Sequence, residues 1–484
     1  MNYRMIAQYV NLVLKLMSAF MAAALAFALV QEESMAAMGF FATLVIAVVG
    51  FMLLEQLKYE SKTMYIKDGF VAVAACWLTF AILGAVPYWV SGEIPFLVDA
   101  LFESTSGIST TGASILTDIE ALSDSMLAWR SFTHWIGGLG VLVFLMAMVP
   151  AISGGERSVS VMRAEMPGPA PGKLVPKLRQ SSRILCYIYL TLTLAQVLLL
   201  MIGGMSFFDS LLTSFSVAGT GGFHIKNLSM AAYDSAYLQT VTACFMVLFG
   251  VNFNVLFFLF IRDFVHIRRN EELRIYLGII AAATCLIAWN IYGAFYDSIT
   301  EALQNGFFQV ASVITSTGFS TTDYNLWPTF SKSILFILMF IGASAGSTGG
   351  GIKVSRVVML VREARRTLFR ISHPRSVEVV KMDCKTVEKS VIHAVNAYLS
   401  TYFMVFFVSF LFISLDGFDF ETTISAAAAS INNTGPGFGM VGPMGSYSAF
   451  SPMSKIVLSL NMLIGRLEIY PMLLLISPRT WKKM

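Results

Sequence analysis

Residues 106–114 read "SGISTTGAS", a run of small hydroxyl residues and glycine set between two strongly apolar stretches. Three later runs share its character: "SVAGTGGFH" (216–224), "SVITSTGFS" (312–320) and "SINNTGPGF" (430–438). Aligning them stacks Gly112, Gly222, Gly318 and Gly435. The second run also admits Gly221, but Phe223 falls over Phe319 when Gly222 is chosen. Thirteen residues before each chosen glycine stand Asp99, Asp209, Asn305 and Thr422, all of the helix N-cap class. Thirteen residues make about three helical turns, roughly 15 Å, too short to cross a bilayer. The spacing predicts four helices that enter the membrane from outside, each aiming the negative end of its dipole at the bilayer centre. The chain then returns through a tract whose carbonyls and hydroxyls turn inward. Four such tracts around one axis make a ring of oxygens, a site for a dehydrated monovalent cation. Its expected members are Thr110, Thr111 and Gly112; Thr220, Gly221 and Gly222; Ser316, Thr317 and Gly318; and Asn433, Thr434 and Gly435. A single glycine-rich tract reads equally well as a helix contact. Four with matched spacing do not.

The composition agrees with a membrane location. Of 484 residues, 56% are apolar and only 13% charged, which no soluble domain of this length requires. Apolar spans are expected near 6–30, 36–57, 69–91, 129–150, 184–204, 238–262, 275–296, 331–361, 395–415 and 453–477. The fold class expected is therefore an all-α polytopic membrane protein with ten transmembrane helices: an N-terminal hairpin, then four pseudo-symmetric helix–pore-helix–helix repeats around one pore. The segments divide as 1–66 (hairpin), 67–155, 156–270, 271–385 and 386–484 (repeats one to four). The first span resembles a signal peptide, but a second apolar span follows after a short turn, and an uncleaved hairpin is the better reading. The five cysteines are scattered and form no CxxC pair, so neither a disulfide framework nor a zinc site is supported.

Lysine and arginine set the orientation. The loops near 58–67, 157–183, 262–274 and 353–389, the C-terminus, Arg4 and Lys15 together hold 28 of the 33 basic residues. By the positive-inside rule both termini are cytoplasmic. The net charge of +4 is a topology signal, and no nucleic-acid partner is indicated.

The eighth span is interrupted by "FIGASAGSTGGGIK" (340–353). Lipid-exposed backbone without hydrogen bonds is too costly to persist, so the break lines water or is wrapped in protein. It lies just beyond Gly318 on the cytoplasmic side, where an irregular loop projects into a pore. Ser344, Gly346, Gly349, Gly350, Gly351 and Lys353 are the expected gate residues. The plainer reading is a static kink. Arg466, in "NMLIGRLEIYP", is a charge inside the tenth span, where insertion costs at least about 2.5–3.5 kcal/mol and a function or partner is expected. It joins the gate set as a cationic barrier below the ring; the plainer reading pairs it with Glu468 or with carbonyls.

These features resemble the Trk/Ktr/HKT potassium transporter superfamily, its bacterial TrkH branch in particular, over essentially the whole chain. The resemblance rests on the leading hairpin, the four span–pore-helix–span repeats, the four glycines and the interrupted span. It implies potassium uptake across the bacterial inner membrane through a channel-like pore, with K+ as the transported ion. Glycine at Gly112, where serine favours sodium, implies potassium. It further implies a homodimer, an intramembrane gate at the glycine-rich loop, and a cytoplasmic TrkA-like regulatory ring through which a nucleotide, NAD or ATP, acts. The tracts depart from the TVGYG signature of potassium channels.

Two other functions are open. A proton- or sodium-coupled potassium symporter wants membrane-embedded acids, and Glu468 is the clear one. "GASAG" (342–346) fits the GxSxG nucleophile pattern of a serine protease, but Ser344 would need a histidine at its depth, and none of the five offers this. No enzyme is expected. The basic segment "REARRTLFRISHPRS" (362–376) suits both anionic membrane lipid and a docked regulator.

Overall fold

The computed structural model describes residues 2–57, 66–140, 178–376, 378–383 and 385–481. Most of the 58–67 loop, the 141–150 end of the fourth expected span, residues 157–177 of the second basic loop, Cys384, Lys482 and Lys483 lie outside the described residues. The described residues are mostly helical, with one short antiparallel pair, Lys381–Met382 with Lys385–Thr386. Helices α1 (Tyr3–Val30) and α2 (Ser34–Glu55) form a hairpin that packs on α3 (Ile66–Ser91).

From α3 onward one order of elements recurs four times: a long helix, a short helix, a Thr/Gly tract and a second short helix. The first set is α3, α4 (Leu97–Ile108) and α5 (Asp124–Leu139). The second is α6 (Leu178–Ile202), α7 (Phe207–Gly219) and α8 (Ala236–Phe249), which runs through α9 (Phe253–Phe260) and α10 (Phe264–Arg269) to the third. The third is α11 (Glu271–Ile291), α12 (Ile299–Ile314) and α13 (Thr329–Phe340), continued by α14 (Val354–Ser372). The last is α15 (Lys389–Ile413), α16 (Phe420–Ile431) and α17 (Pro452–Arg466), followed by α18 (Tyr470–Ile476) and α19 (Pro478–Trp481).

Among the described residues six helices are long and apolar enough to cross a membrane, or seven if α8 and α9, bent by 103°, count as one broken span. The six are α1, α2, α3, α6, α11 and α15. The span at 331–361 is interrupted as expected, and those at 238–262 and 453–477, expected to be continuous, are broken as well. Helices α8, α13 and α17 contain 14, 12 and 15 residues, so each is only about 18–23 Å long. Large apolar side chains such as Met404, Phe407, Val408 and Leu411 on α15 stay exposed on the outer surface, as a lipid-facing helix requires.

Each break leaves helix-end groups that need partners. At α8, the freed Gly250 carbonyl accepts the Ser344 N–H at 3.0 Å, and Asn252 caps α9 through the Asn254 N–H at 2.9 Å. At α17, Glu468 and Ile469 take positive φ angles of 55° and 71°. Glu468 there binds Arg356 of α14 at 2.5 Å, and Arg356 stacks on Tyr398 at 4.0 Å.

The expected caps need correction. Asp99, Asp209 and Thr422 are the third residues of α4, α7 and α16, and Asn305 is the seventh of α12. Ser206 and Asp419 are the side chains that cap α7 and α16. Carboxylates favour the first turn as well as the cap, because both places meet unpaired N–H groups. Asp99 instead binds Lys455 of α17 at 2.7 Å.

The hairpin is fixed where α2 crosses α3. A Cβ on Gly39 would sit 2.5 Å from the Pro87 carbonyl oxygen and 3.1 Å from its Cα, both backbone atoms that cannot turn aside. Gly39→Val is therefore expected to destabilise the protein by about 1–3 kcal/mol, as overpacked cores do. Thermal unfolding of the detergent-solubilised variant checks it; an unchanged midpoint would mean the hairpin is not held at this crossing.

Candidate ion-conduction site

The four tracts share one backbone conformation. Two residues before each glycine, Thr110, Thr220, Ser316 and Asn433 adopt left-handed φ angles of 57°, 53°, 57° and 55°. Gly112, Gly222, Gly318 and Gly435 follow at 79°, 80°, 82° and 86°. In each tract the residue before the glycine donates its N–H to the carbonyl five positions upstream: Thr111 to Ser106, Gly221 to Ser216, Thr317 to Ser312 and Thr434 to Ala429, at 2.8–2.9 Å. Gly222 thus has the conformation of the other three glycines, which fixes the alignment of the second tract. Left-handed backbone costs a residue with a Cβ about 1–2 kcal/mol, and its use at four matched places marks a constraint.

The tracts also touch in cyclic order. A Cβ on Gly112 would overlap the Gly221 carbonyl oxygen, one on Gly222 that of Thr317, and one on Gly318 that of Thr434. One on Gly435 would meet the Thr111 oxygen at 2.5 Å. The first tract therefore abuts the second, the second the third, the third the fourth, and the fourth the first. All twelve expected ring residues come together, and Thr110, Thr111, Thr220, Ser316, Thr317, Asn433 and Thr434 are buried. Outside the ring lies a cavity of about 490 Å³ whose wall includes all four glycines.

Side chains behind the tracts hold them. The Ser109 and Thr111 hydroxyls bond at 2.7 Å, as do those of Thr315 and Thr317. Asn433 donates to Thr111 Oγ1 at 2.9 Å, linking the fourth tract to the first. His134 Nε2 accepts the Phe223 N–H at 3.1 Å. Tyr447 donates to the Gly435 carbonyl at 2.7 Å.

The interrupted stretch lies directly against the ring. Its two ends are stitched together, Gly342 N–H to Ile352 O at 2.8 Å and Ile352 N–H to Phe340 O at 3.0 Å. Between them the chain folds under the third and fourth tracts. Gly350 N–H donates to Ser316 Oγ at 2.5 Å, and a Cβ on Gly350 would clash with the Asn432 carbonyl. Lys353 is buried and turns its ammonium back onto the Gly349 and Gly350 carbonyls. The loop is thus wrapped in protein, the second of the two conditions expected of a break. Gly346 and Gly351 take positive φ angles. The Ser344 hydroxyl is buried without a hydrogen-bond partner among the described residues, so none of them activates it as a base would.

Arg466 reaches the same loop from α17. Its guanidinium donates to Thr348 O at 2.6 Å and to Gly137 O at 2.7 Å, at the end of α5. Pairing with backbone carbonyls is one of the two plainer readings of this residue; the other fails, because Glu468 binds Arg356. Gly349, Gly350, Gly351, Lys353, Arg466 and Glu468 surround one small void.

Sequence reasoning missed three charged residues around this site. Glu272 on α11 falls within the basic 262–274 loop of the sequence, and Arg130 at the start of the fourth expected span. Glu103 drew no notice inside α4. Glu272 Oε1 accepts the N–H of Ala345 at 2.7 Å and of Ser355 at 3.1 Å, pinning both limbs of the loop. Glu103 and Arg130 form a fully buried ion pair at 2.7 Å. An ionisable residue within reach of an apolar segment was the available signal.

Removing the Glu272 carboxylate leaves two buried N–H groups unpaired, at a local cost of about 1–3 kcal/mol. Glu272→Ala should speed hydrogen exchange at Ala345 and Ser355, while Glu272→Gln, whose amide oxygen still accepts, should stay near wild type. Equal protection in both variants would show that the loop is held elsewhere.

The chain is similar over its whole length to known proteins. The sequence pattern of the TrkH family, cation transport proteins, matches residues 35–483. The chain is 34% identical to the Trk system potassium uptake protein TrkH of Salmonella typhimurium over 491 residues, all of both chains. It is 32% identical to the Trk system potassium uptake protein TrkG of Escherichia coli over 421 residues, 86% of each. Its fold superposes on the crystal structure of the potassium transporter TrkH from Vibrio parahaemolyticus with a TM-score of 0.88 over all of both chains, at 31% identity. This polytopic membrane protein belongs to the TrkH family of cation transport proteins, and it is a transporter rather than an enzyme.

Proposed function

We propose that the chain takes up potassium across the bacterial inner membrane through one pore on a pseudo-fourfold axis. Ten membrane segments build it: the hairpin and four units, 67–155, 156–270, 271–385 and 386–484, the last three with broken second helices. Backbone and hydroxyl oxygens of the four tracts replace the hydration shell of the ion. The observation that carries this reading is the cyclic contact of each glycine with the carbonyl of the next tract. Oxygens crowd toward one axis from four sides, and each of the four short helices ahead of them turns its negative end the same way. Potassium is the ion that the named relatives carry.

The loop 340–353 is the gate in this reading, closed as described here. Its backbone lies against the third and fourth tracts, and Lys353 and Arg466 add positive charge on the inner side. The polar loop runs directly into α14, whose basic residues suit a docked cytoplasmic ring that binds the regulatory nucleotide. The chain works as a homodimer with both termini inside. Coupled symport is less well supported. Arg130 engages Glu103, two backbone N–H groups engage Glu272 and Arg356 engages Glu468, and an exchanging proton or sodium ion would have to displace those partners.

Two measurements on purified protein in liposomes test the reading. Gly112→Ser places a Cβ against the Gly221 carbonyl and should lower potassium-over-sodium influx by about tenfold, near 1.4 kcal/mol of discrimination; an unchanged ratio removes the tract from the ion path. Arg466→Ala releases Thr348 and removes a cation from the inner mouth. It should raise potassium influx in the absence of any cytoplasmic partner. A fall in influx through protein that remains folded would make Arg466 a purely structural clasp.

A further inference from the structure

The four tracts are not braced alike. Nine residues before the ring glycines stand Glu103, Thr213, Gln309 and Ala426. Gln309 reaches across its own tract to Thr321 Oγ1 at 3.4 Å, while the Thr213 hydroxyl is buried without a partner among the described residues. Glu103, in the first tract, does much more. Its Oε1 accepts from Arg130 Nε at 2.9 Å and Nη2 at 2.7 Å, and its Oε2 accepts the Ile115 N–H at 3.1 Å. Ser114 Oγ donates to the same carboxylate at 2.9 Å. Ser114 and Ile115 are the second and third residues after Gly112, on the outer limb of the first tract.

Arg130 carries the brace into the second tract. Its Nη1 donates to the His224 carbonyl at 3.1 Å, and its guanidinium lies 4.0 Å from the centre of the Phe223 ring. Phe223 and His224 directly follow Gly222. Both charged side chains are buried, at 0% and 1% exposure. An ion pair so placed gains little stability over apolar packing. What it supplies is direction: a planar guanidinium and a carboxylate, each with several bonds, tolerate little change in spacing. The outer limbs of two adjacent tracts are thereby held at one separation. Arg130 also lines the outer cavity, where Glu103 neutralises a charge that would otherwise repel arriving cations.

We propose that the Glu103–Arg130 pair is the positioning device that holds the first and second tracts at potassium spacing, and so sets discrimination against sodium. This rests on the ring being the ion path. Without the brace the two limbs relax inward and a smaller ion is served as well as potassium.

The test is potassium and sodium influx into liposomes holding the full-length protein, with Glu103→Gln/Arg130→Gln, Ser114→Ala and Gly112→Ser compared with wild type. The double variant is neutral and keeps hydrogen-bonding groups. Its potassium-over-sodium ratio should fall by about fivefold or more, the scale of one charge-assisted hydrogen bond, while the maximal potassium rate changes less. Ser114→Ala keeps the ion pair and removes one strap, so it should lower the ratio in the same direction by a smaller factor. Ratios at the wild-type value in the double variant overturn the proposal. If that variant fails to fold, a wild-type ratio in Ser114→Ala overturns it instead. Gly112→Ser separates the two failures: an altered ratio there with no change in the others rejects the brace alone, and no change in any variant rejects the ring as the ion path.

Discussion

Everything in this structure depends on four places where backbone meets backbone with no side chain between. The carbonyls of Thr111, Gly221, Thr317 and Thr434 occupy the space where the neighbouring glycine would carry a Cβ. A methyl group at any of the four would push two tracts apart, and because the contacts run in a closed cycle, opening one opens the set. Ring closure in turn dictates the rest. Each tract needs a helix short enough to stop at the centre, a long helix to bring the chain out, and a second short helix to carry it inward again. The recurring order of elements is the chain's way of delivering four equivalent tracts to one axis.

The ring is also held under tension. Left-handed Thr110, Thr220, Ser316 and Asn433 would relax if free, and they persist because surrounding bonds over-determine them. Those bonds differ from tract to tract. Ions serve the first two, while hydroxyls serve the others, Ser312 to the Phe319 carbonyl at 2.6 Å and Ser425 from the Phe438 N–H at 2.9 Å. Asn433 is the variant residue at its position, and its longer side chain reaches Thr111 and the Met462 carbonyl. A pseudo-symmetric ring is thus supported by a scaffold that is not symmetric.

The tracts, their register and the glycine break were legible in the sequence because they are written in residue types with few other uses. Glycine beside threonine at constant spacing has no plain structural rival when it recurs four times. The helix breaks at 250–252 and 467–469 were not legible. Each carries only a faint local signal, Gly250 with Asn252 in one and Glu468 ahead of Pro471 in the other, and what ends the helices is tertiary: Ser344 and Gly346 bond across to Gly250 and Phe253, and Glu468 turns to meet Arg356. Caps were misplaced by three residues because Asp and Thr serve the first helical turn as readily as the cap. Glu103, Arg130 and Glu272 escaped because an ionisable residue shows its worth only when its partner is known, and their partners lie 11 to 94 residues away.

The loop below the ring combines two properties that usually conflict. It is buried, so its backbone must be fully bonded, yet its neighbours at 250–252 and 467–469 are themselves helix breaks. Its bonds go to groups at helix ends: the Gly250 carbonyl, the Phe253 N–H, and the Arg466 guanidinium, which also holds the carbonyls at the end of α5. A regular helix in any of these places would have no groups to offer. The irregularities therefore support one another, and a shift of the loop would leave unpaired groups on three other elements at once. Such a cluster moves between discrete arrangements rather than by degrees, because a partly bonded state inside the membrane is the costliest of all. Under the proposed gating role, a pull on α14 would therefore act on the loop and on all three elements together.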